Sequence, residues 1–360
     1  MTSCDQQSRE KYLHKGIIPA FQTSEGMRVV DLVESFAASG AFNAGRLAEA
    51  SKLFLKMAEG DTTICLTLSG AMTPTGMGGM LIGLIEKGLV DFIISTGANI
   101  YHDLHFALDL PVHRGDFRAN DCELRQAKIS RIYDMFVTDE VQVKTDKFVQ
   151  GVLDNGAGYE DMSSAQIHHI IGKVVLEKAP CPERSFLAQA ARFDLPVFTS
   201  SPGDSAIGMV LALLRLHGNK ATVDPNLDVI QTAAIIHNSE KNGVITIGGG
   251  SPKNFYMQTQ PMLEMAFGKP CKGHHYFIQI TTDSPQWGGL SGATPQEAIS
   301  WGKVREEEIK NYVVVYCDAT IAAPILMTYG LAKARKRAPK RLYGRLPELV
   351  DALRRDSKPL

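Results

Sequence analysis

TTICLTLSGAMTPTGMGGMLIGLIEKGLVDFIIS, residues 62–95, is the part of the sequence from which the architecture is most readily predicted. Its two ends, residues 62–68 and 91–95, are short apolar runs that predict buried strands. Residues 76–87 lie between them and predict a helix. Because parallel strands need such a crossover connection, the stretch predicts a strand–helix–strand unit.

The same alternation continues along the rest of the chain. Further strands are predicted at residues 196–199, 243–247, 276–281 and 312–316. Further helices are predicted at residues 27–38, 44–57, 205–216, 252–267 and 321–336. Strands that alternate with helices indicate an α/β fold, with a mostly parallel sheet and helices on both faces.

No repeat, linker or shift in composition divides the 360 residues. We therefore expect one large α/β domain at residues 27–337, after an N-terminal extension at 1–26 and before a basic C-terminal tail at 338–360. Residues 116–162 form the least periodic stretch, which we expect to be a lid or an oligomer contact.

The charge balance argues against nucleic acid as a partner. The chain has 38 basic and 39 acidic residues, for a net charge of −1, and neither nucleic acid nor an anionic membrane favours such a surface. The basic run at 333–345 is therefore interpreted as a solvated helix face. The adjacent pairs His168-His169 and His274-His275 have no further ligand at suitable spacing, so no metal site is predicted.

The sequence predicts a soluble cytoplasmic protein. Its N-terminus is polar and unlike a signal peptide. The longest apolar stretch, 80–90, is interrupted by Gly83, Glu86 and Lys87 and is too short to span a bilayer. The six cysteines lie far apart, which suits a reducing compartment, and Cys65 is predicted to be a core residue of a strand.

Two glycine-rich turns each follow a predicted strand and precede a predicted helix, at residues 69–79 and 248–250. Glycine lets a backbone approach a phosphate closely, and a helix N-terminus offers free N–H groups. Glycine alone is equally consistent with tight packing of helix on sheet. A third strand end, at 95–99, is rich in small polar residues. Three such ends would line the crevice of a parallel sheet, which favours dinucleotide binding.

Residues 288–303, GGLSGATPQEAISWGK, end in Trp301-Gly302-Lys303. A single lysine is most often a solvated surface charge. In a constrained turn against an aromatic wall, however, desolvation would lower the pKa of Lys303 and leave its amine free to act as a nucleophile. The local pattern leaves both interpretations open.

This segment resembles the deoxyhypusine synthase family, above all in the run EAISWGK at residues 297–303 and in Ser291-Gly292-Ala293 with Pro295. Other matches occur in the family's order, at residues 39–44, 89–91, 95–97, 103–104, 204–208, 248–250 and 316–319. The similarity extends from about residue 27 to residue 335.

The resemblance implies a Rossmann-like NAD-binding sheet, a homotetramer with active sites between subunits, and NAD-dependent transfer of an aminobutyl group. In that chemistry NAD takes hydride from the carbon beside the secondary amine of spermidine, and the resulting imine loses diaminopropane. The butylamine fragment is then held as an imine on Lys303 until an acceptor amine displaces the lysine and the hydride returns. Trp301 would lie beside the cationic amine, and Glu297 would bind an ammonium group.

Further site residues follow from the same resemblance. The implied substrate contacts are Asn254, Gln258, Gly288, Glu297 and Trp301. The implied cofactor contacts are Gly70, Ala71, Met72, Thr73, Pro74, Thr96, Gly97, Asp204, Thr282, Asp283, Asp318 and Ala319.

Several polar residues of the family's site are replaced in this chain. The replacements are Asn254, Phe255 and Gln258 for a His-His pair and an asparagine, Met209 for an amine-binding aspartate, Trp287 and Leu290 for loop aspartates, and Tyr101-His102 for a glutamate pair. A buried ammonium needs a partner, so fewer carboxylates predict a shorter or less charged amine as substrate.

The sequence therefore favours a deoxyhypusine synthase-like transferase with a small acceptor amine, of which homospermidine synthesis from putrescine is the leading case. Three alternatives stay open. They are a true deoxyhypusine synthase acting on a translation-factor lysine, an NAD-dependent amine oxidoreductase, and a catalytically silent NAD-binding paralogue.

Overall fold

The computed structural model describes residues 9–14, 16–154 and 159–358. In this part of the chain the strands are β1 (Thr62–Leu68), β2 (Phe92–Ser95), β3 (His113–Arg114), β4 (Ile129–Ile132), β5 (Met135–Thr138), β6 (Val197–Thr199), β7 (Lys241–Ile247), β8 (Tyr276–Thr281) and β9 (Tyr312–Tyr316). Six of them form one sheet in the order β6-β2-β1-β7-β8-β9, and every neighbouring pair is parallel.

A short helical segment at residues 9–13 precedes the main helices. These are α1 (Val29–Ser39), α2 (Phe42–Glu59), α3 (Gly78–Glu86), α4 (Gly97–Ala107), α5 (Asp121–Gln126), α6 (Asp139–Asp154), α7 (Ser164–Lys178), α8 (Phe186–Arg192), α9 (Ala206–Leu216), α10 (Pro225–His237), α11 (Gly250–Met257), α12 (Thr259–Phe267), α13 (Pro295–Ile299), α14 (Ala319–Lys333) and α15 (Leu342–Asp356).

The two faces of the large sheet belong to two separate cores, because successive side chains of a strand point to opposite faces. On one face Ile64 and Ile245 join a core that includes helices α2, α3, α7 and α14. On the other face Cys65 and Val244 join a core that includes α10, α12 and α15. The predicted fold class, a mostly parallel sheet with helices on both faces, is confirmed.

The order of the strands places a crevice between β1 and β7. Leu68, the last residue of β1, lies opposite Ser95 of β2 on one side and opposite Ile247 of β7 on the other. The chain runs outward from β1 through β2 to β6, then returns to β7 and continues outward to β9. Open parallel sheets bind ligands at the carboxyl ends of their strands where the order reverses in this way.

The stretch at 116–162, the least periodic in the sequence, is largely folded into helices and strands. Strands β4 and β5 pair in antiparallel fashion, β5 also pairs with β3, and helices α5 and α6 flank this small sheet. Its strands are mostly half-exposed, which explains why they lack the strong apolar runs of the large sheet. A role as lid or oligomer contact stays a prediction, and residues 155–158 lie outside the described part.

The single helix predicted at 252–267 is wrong, because two consecutive helices, α11 and α12, meet at Gln258. Pro261 lies in the first turn of α12 and has no N–H to donate to the carbonyl of Met257. At the same junction, the hydroxyl of Thr259 donates to the carbonyl of Tyr256, at 2.7 Å.

The basic run at 333–345 is largely solvated, as predicted, but it is not one helix face. Residues 334–341 are not helical and connect α14 to α15. Arg337 is only 12% exposed and pairs with the buried carboxylate of Asp91. Helix α15 then packs against α10 through its apolar side. None of the helices in the described part of the chain is long and apolar enough to cross a membrane.

Candidate active site

Residues 284–303, here called the lysine loop, end in a backbone turn that fixes Lys303. Thr294 caps α13 by accepting a hydrogen bond from the Glu297 N–H, at 3.2 Å. Gly302 has φ of +65°, which glycine adopts without strain. The Lys303 N–H donates to the Ala298 carbonyl at 3.1 Å, and its own carbonyl accepts from His274 at 3.0 Å. The backbone of Lys303 is therefore held on both sides.

The side chain of Lys303 is half-buried. Its Nζ donates to Asn254 Oδ1 at 3.2 Å and lies 5.5 Å from the centre of the Trp301 ring. Burial lowers the pKa of Lys303, because the charged form is poorly solvated there, and the carboxylate of Glu297 opposes this effect. The neutral amine that a nucleophile requires is thus more accessible than in an exposed lysine.

Lys303 lies in a cavity of about 320 Å³, the lysine cavity. The lining residues are Lys253, Asn254, Met257, Gln258, Phe277, Leu290, Ala293, Thr294, Pro295, Glu297, Ala298, Trp301 and Lys303. Most of them are apolar, and Glu297 is the carboxylate among them. A mostly apolar cavity with one carboxylate can accept an alkyl chain that ends in one ammonium group.

Sequence reasoning missed Lys253, which is 5% exposed and also lines the lysine cavity. Its Nζ donates to the Ala293 and Ser291 carbonyls, at 2.9 and 3.2 Å, and lies 3.4 Å from Gln279 Oε1. Burial lowers its pKa to about 8. Its position three residues after Gly250 was visible in the sequence, but its burial against β8 was not.

A second cavity, of about 440 Å³, lies at the carboxyl ends of β7, β8 and β9. This edge cavity is lined by Met72, Gly248, Thr281, Thr282, Asp283, Trp287, Ser291, Asp318, Ala319 and Thr320. The lysine loop lies between the two cavities, since Leu290 lines one and Trp287 lines the other.

The residues around the edge cavity fit a dinucleotide. Gly248 has φ of +82° in the turn after β7, and α14 begins with its N-terminus at this edge. Asp283 and Asp318 place carboxylates there, which can accept hydrogen bonds from ribose hydroxyls. Backbone N–H groups at a helix start suit a pyrophosphate.

The turn after β1 is held by α4. Asn99 Oδ1 accepts from the N–H groups of Met72 and Thr73, at 2.7 and 3.1 Å. The Thr96 hydroxyl donates to the Gly70 carbonyl at 2.6 Å. These contacts bring the predicted cofactor residues 70–74 and 96–97 to the same edge of the sheet. Ala71 and Pro74 belong to this turn, which has a short 3₁₀ segment at Thr73–Thr75.

Other predicted residues lie apart from the two cavities. Asp204 is exposed, beside the Ser205 that packs on Gly97. Gly288 is an exposed loop residue and does not line the lysine cavity. Met209 is 67% exposed on α9, also outside that cavity. Within the described residues, no group of three or more His, Cys, Asp or Glu side chains could hold a metal ion.

Comparison with known proteins identifies the family. The family model for deoxyhypusine synthase matches residues 31–330. The chain belongs to the deoxyhypusine synthase family. Its family resemblance, inferred above from the EAISWGK run, is confirmed. Members of this family are NAD-dependent enzymes that transfer an aminobutyl group, so membership supports an enzyme.

Curated members of the deoxyhypusine synthase family align over most of this chain. A "Deoxyhypusine synthase-like protein" of Nostoc punctiforme is 42% identical over 356 residues, covering 96% of this chain and 90% of its own. A "Probable deoxyhypusine synthase 2" of Methanosarcina mazei is 38% identical over 299 residues, covering 83% and 85%. The crystal structure "of a putative deoxyhypusine synthase from Entamoeba histolytica" superposes with a TM-score of 0.59 at 16% identity, covering 89% of this chain and 99% of that one, and shows the shared fold.

Proposed function

We propose that this family member transfers an aminobutyl group from a polyamine to a small acceptor amine through an imine on Lys303, with NAD recycled. The observation that carries the proposal is the half-buried amine of Lys303, bonded to Asn254 beside Trp301 in a mostly apolar cavity. Burial lowers the pKa of Lys303, which favours the free amine that imine formation requires.

The transfer step balances at the lysine. The neutral Nζ of Lys303 attacks the imine carbon of the oxidised donor, and a new carbon–nitrogen bond forms. The bond from that carbon to the leaving diamine breaks, and the proton lost by Nζ ends on the departing amine. Glu297, which lines the same cavity, would bind the ammonium group of the butyl chain.

The edge cavity would hold the cofactor, with Asp283 and Asp318 at the ribose hydroxyls and the turns at 70–74 and 248–250 near the phosphates. NAD, when bound there, supplies the acceptor and donor of the hydride. Because the hydride returns, no net NADH should accumulate during transfer. Steady NADH formation with an amine would instead support an amine oxidoreductase.

A putrescine acceptor, giving homospermidine, is the favoured specific case. Its support is the mostly apolar lysine cavity, in which Glu297 is the carboxylate among the lining residues. A true deoxyhypusine synthase acting on a translation-factor lysine would instead modify a protein. A silent paralogue would bind NAD and leave Lys303 unmodified.

We also propose a cytoplasmic homotetramer. The exposed apolar side chains of Met209, Leu213 and Leu216 lie on one side of α9, where a second subunit could cover them. Cys65, Cys122, Cys181, Cys271 and Cys317 carry free thiols, as a reducing compartment allows.

The test is incubation with NAD and a panel of polyamines, followed by borohydride reduction and mass spectrometry of products and peptides. We expect a butylamine mass on the peptide that carries Lys303. Lys303→Arg keeps the charge but cannot form the imine, so it should abolish labelling and transfer while NAD binding persists. Lys310→Arg, at an exposed lysine, is the matched control.

Label on another lysine, or no label with any polyamine, would refute the role of Lys303. A product formed only when a translation factor is added would favour the protein-modifying alternative over homospermidine synthesis.

A further inference from the structure

The buried lysine of α11 has no donor left for a ligand. The Nζ of Lys253 has three acceptors within reach, namely Gln279 Oε1 and the carbonyls of Ser291 and Ala293. A lysine ammonium has three N–H groups, so the protein uses all of them. Lys253 is therefore not a second free nucleophile in the lysine cavity, although it lines that cavity.

Two of these three acceptors are backbone carbonyls of the lysine loop. They precede α13, the helix that leads directly to Trp301 and Lys303. Gln279 of β8 binds the same part of the lysine loop. Its Nε2 donates to the Ser291 carbonyl at 2.7 Å and to the Gly248 carbonyl at 2.8 Å. Lys253 and Gln279 thus hold the lysine loop against α11 and β8 by hydrogen bonds.

Ser291 of the lysine loop also contacts the turn at residues 248–250, here called the glycine turn, which lies beside the edge cavity. Ser291 Oγ accepts from the Gly250 N–H at 2.8 Å. A Cβ placed on Gly249 would lie 2.6 Å from the Cα of Ser291, so the two backbones pack directly. The Ser69 hydroxyl, at the end of β1, donates in turn to the Gly249 carbonyl. A continuous set of contacts thus joins the edge cavity to the lysine loop.

We propose that Lys253 is a positioning residue, whose ammonium holds residues 291–293 of the lysine loop against β8 and the glycine turn and so keeps Lys303 half-buried against Asn254. The proposal rests on the proposed role of Lys303 as the nucleophile. Burial of a lysine ammonium is costly, and three acceptors, two of them on the loop, are what offset that cost here. Glu297 and Asp283 favour the charged form of Lys253, whereas Lys303 opposes it.

The experiment measures Lys303 directly and needs neither polyamine nor NAD. The protein is alkylated with butanal and cyanoborohydride across a range of pH values, and peptide mass spectrometry follows the modification of Lys303. A negative result for the Lys253 proposal can therefore be told apart from failure of the proposed transfer reaction, because the polyamine panel tests that reaction separately. The variants are Lys253→Met and Gln279→Leu. Lys87→Met is the control, since Lys87 is also partly buried and donates to a backbone carbonyl, that of Leu331, far from the loop in sequence.

If Lys253 positions the loop, its loss exposes Lys303 to water and the pKa of Lys303 rises. We expect the rate of Lys303 alkylation at pH 7, where Lys253 is mostly charged, to fall about tenfold in Lys253→Met, which corresponds to a rise of about one unit in the pKa of Lys303. Gln279→Leu removes loop contacts without changing the charge and should shift the profile in the same direction. Lys87→Met should leave it unchanged.

An unchanged profile in folded Lys253→Met would overturn the proposal. A shift in Lys253→Met with none in Gln279→Leu would overturn it as well, because Lys253 would then act through its charge alone. Thermal melts establish folding first. If Lys253→Met does not fold, Gln279→Leu decides by itself: a shifted profile supports the proposal, and an unchanged one refutes it.

Discussion

Glu297 stands alone as a carboxylate among the residues that line the lysine cavity. Leu290 lies at the rim of the same cavity and is 50% exposed. A long polycation needs a carboxylate near each buried ammonium, because an unpaired buried charge is costly. In the proposed reaction, amine specificity would depend on few side chains, and Leu290 is a position at which a second carboxylate can be introduced.

Leu290→Asp should strengthen the binding of spermidine relative to putrescine. An added pair at a half-exposed position contributes up to about 1 kcal/mol, or roughly fivefold in relative affinity. Calorimetric dissociation constants for both amines check this result, with Leu290→Asn as the uncharged control. An equal gain for both amines, or the same gain in Leu290→Asn, would contradict it.

Among the elements, the junction of β2 and α4 is packed tightly at the carboxyl edge of the large sheet. Gly97 opens α4, and Ser205 at the start of α9 packs directly against it. A Cβ added to Gly97 would lie 2.1 Å from the Cβ of Ser205, closer than any real contact. Since α4 also holds the turn at 70–74, a shift there would reach the edge cavity.

Gly97→Ala should destabilise the protein by about 1–3 kcal/mol, the usual cost of overpacking, and weaken NAD binding. Gly79→Ala in α3 is the matched control, because nothing lies within 4 Å of the added Cβ. That change should be neutral or stabilise by up to about 1 kcal/mol, from helix propensity. Urea unfolding and NAD titration measure both effects. Equal stability of the two variants would show that Ser205 moves aside freely.

On the scale of the whole molecule, the C-terminal segment closes the second core. The guanidinium of Arg337 donates to the Thr62 carbonyl at 2.8 Å and to Asp91 Oδ2 at 3.3 Å, and so joins the segment to the starts of β1 and β2. Asp91 Oδ2 also accepts from the Ile64 N–H at 2.8 Å. Leu342, Leu346 and Leu349 of α15 then cover the sheet face that includes Cys65.

Arg337→Gln should cost about 3–5 kcal/mol at pH 8, because it leaves the buried carboxylate of Asp91 without its cation. Burial already raises the pKa of Asp91, and Arg337 opposes that rise. Loss of the guanidinium in the variant therefore raises the pKa of Asp91 further. A raised carboxyl pKa means that the folded state binds the proton more tightly, and stability falls as pH rises through the folded pKa. The deficit relative to wild type should therefore shrink at pH 5.

Urea unfolding of wild type and variant at pH 5 and pH 8 measures this deficit. Arg354→Gln, which breaks an exposed pair with Asp351 on α15, should cost no more than about 1 kcal/mol at either pH. A deficit in Arg337→Gln that stays constant with pH would mean that Asp91 does not titrate in this range.

The sequence by itself predicted the strands of the large sheet and the fold class, and it singled out Lys303 as a candidate nucleophile. Strands β1 and β8 coincide with their predicted ranges, since a buried parallel strand is a short apolar run that needs no knowledge of its neighbours. Helix periodicity likewise depends on residues three and four apart. The run EAISWGK identified the family for the same reason, because its meaning lies within a few consecutive residues.

Only the tertiary structure decided which side chains share a cavity. Lys253 and Ala293 are separated by 40 residues, yet they meet at 2.9 Å. Arg337 meets Asp91 across 246 residues, inside what the sequence presented as a solvated basic run. Leu290 lines the lysine cavity while Met209, an equally apolar replacement in the sequence, lies exposed on α9. Burial and pairing depend on strand order and on the packing of distant segments, which local patterns of residues do not encode.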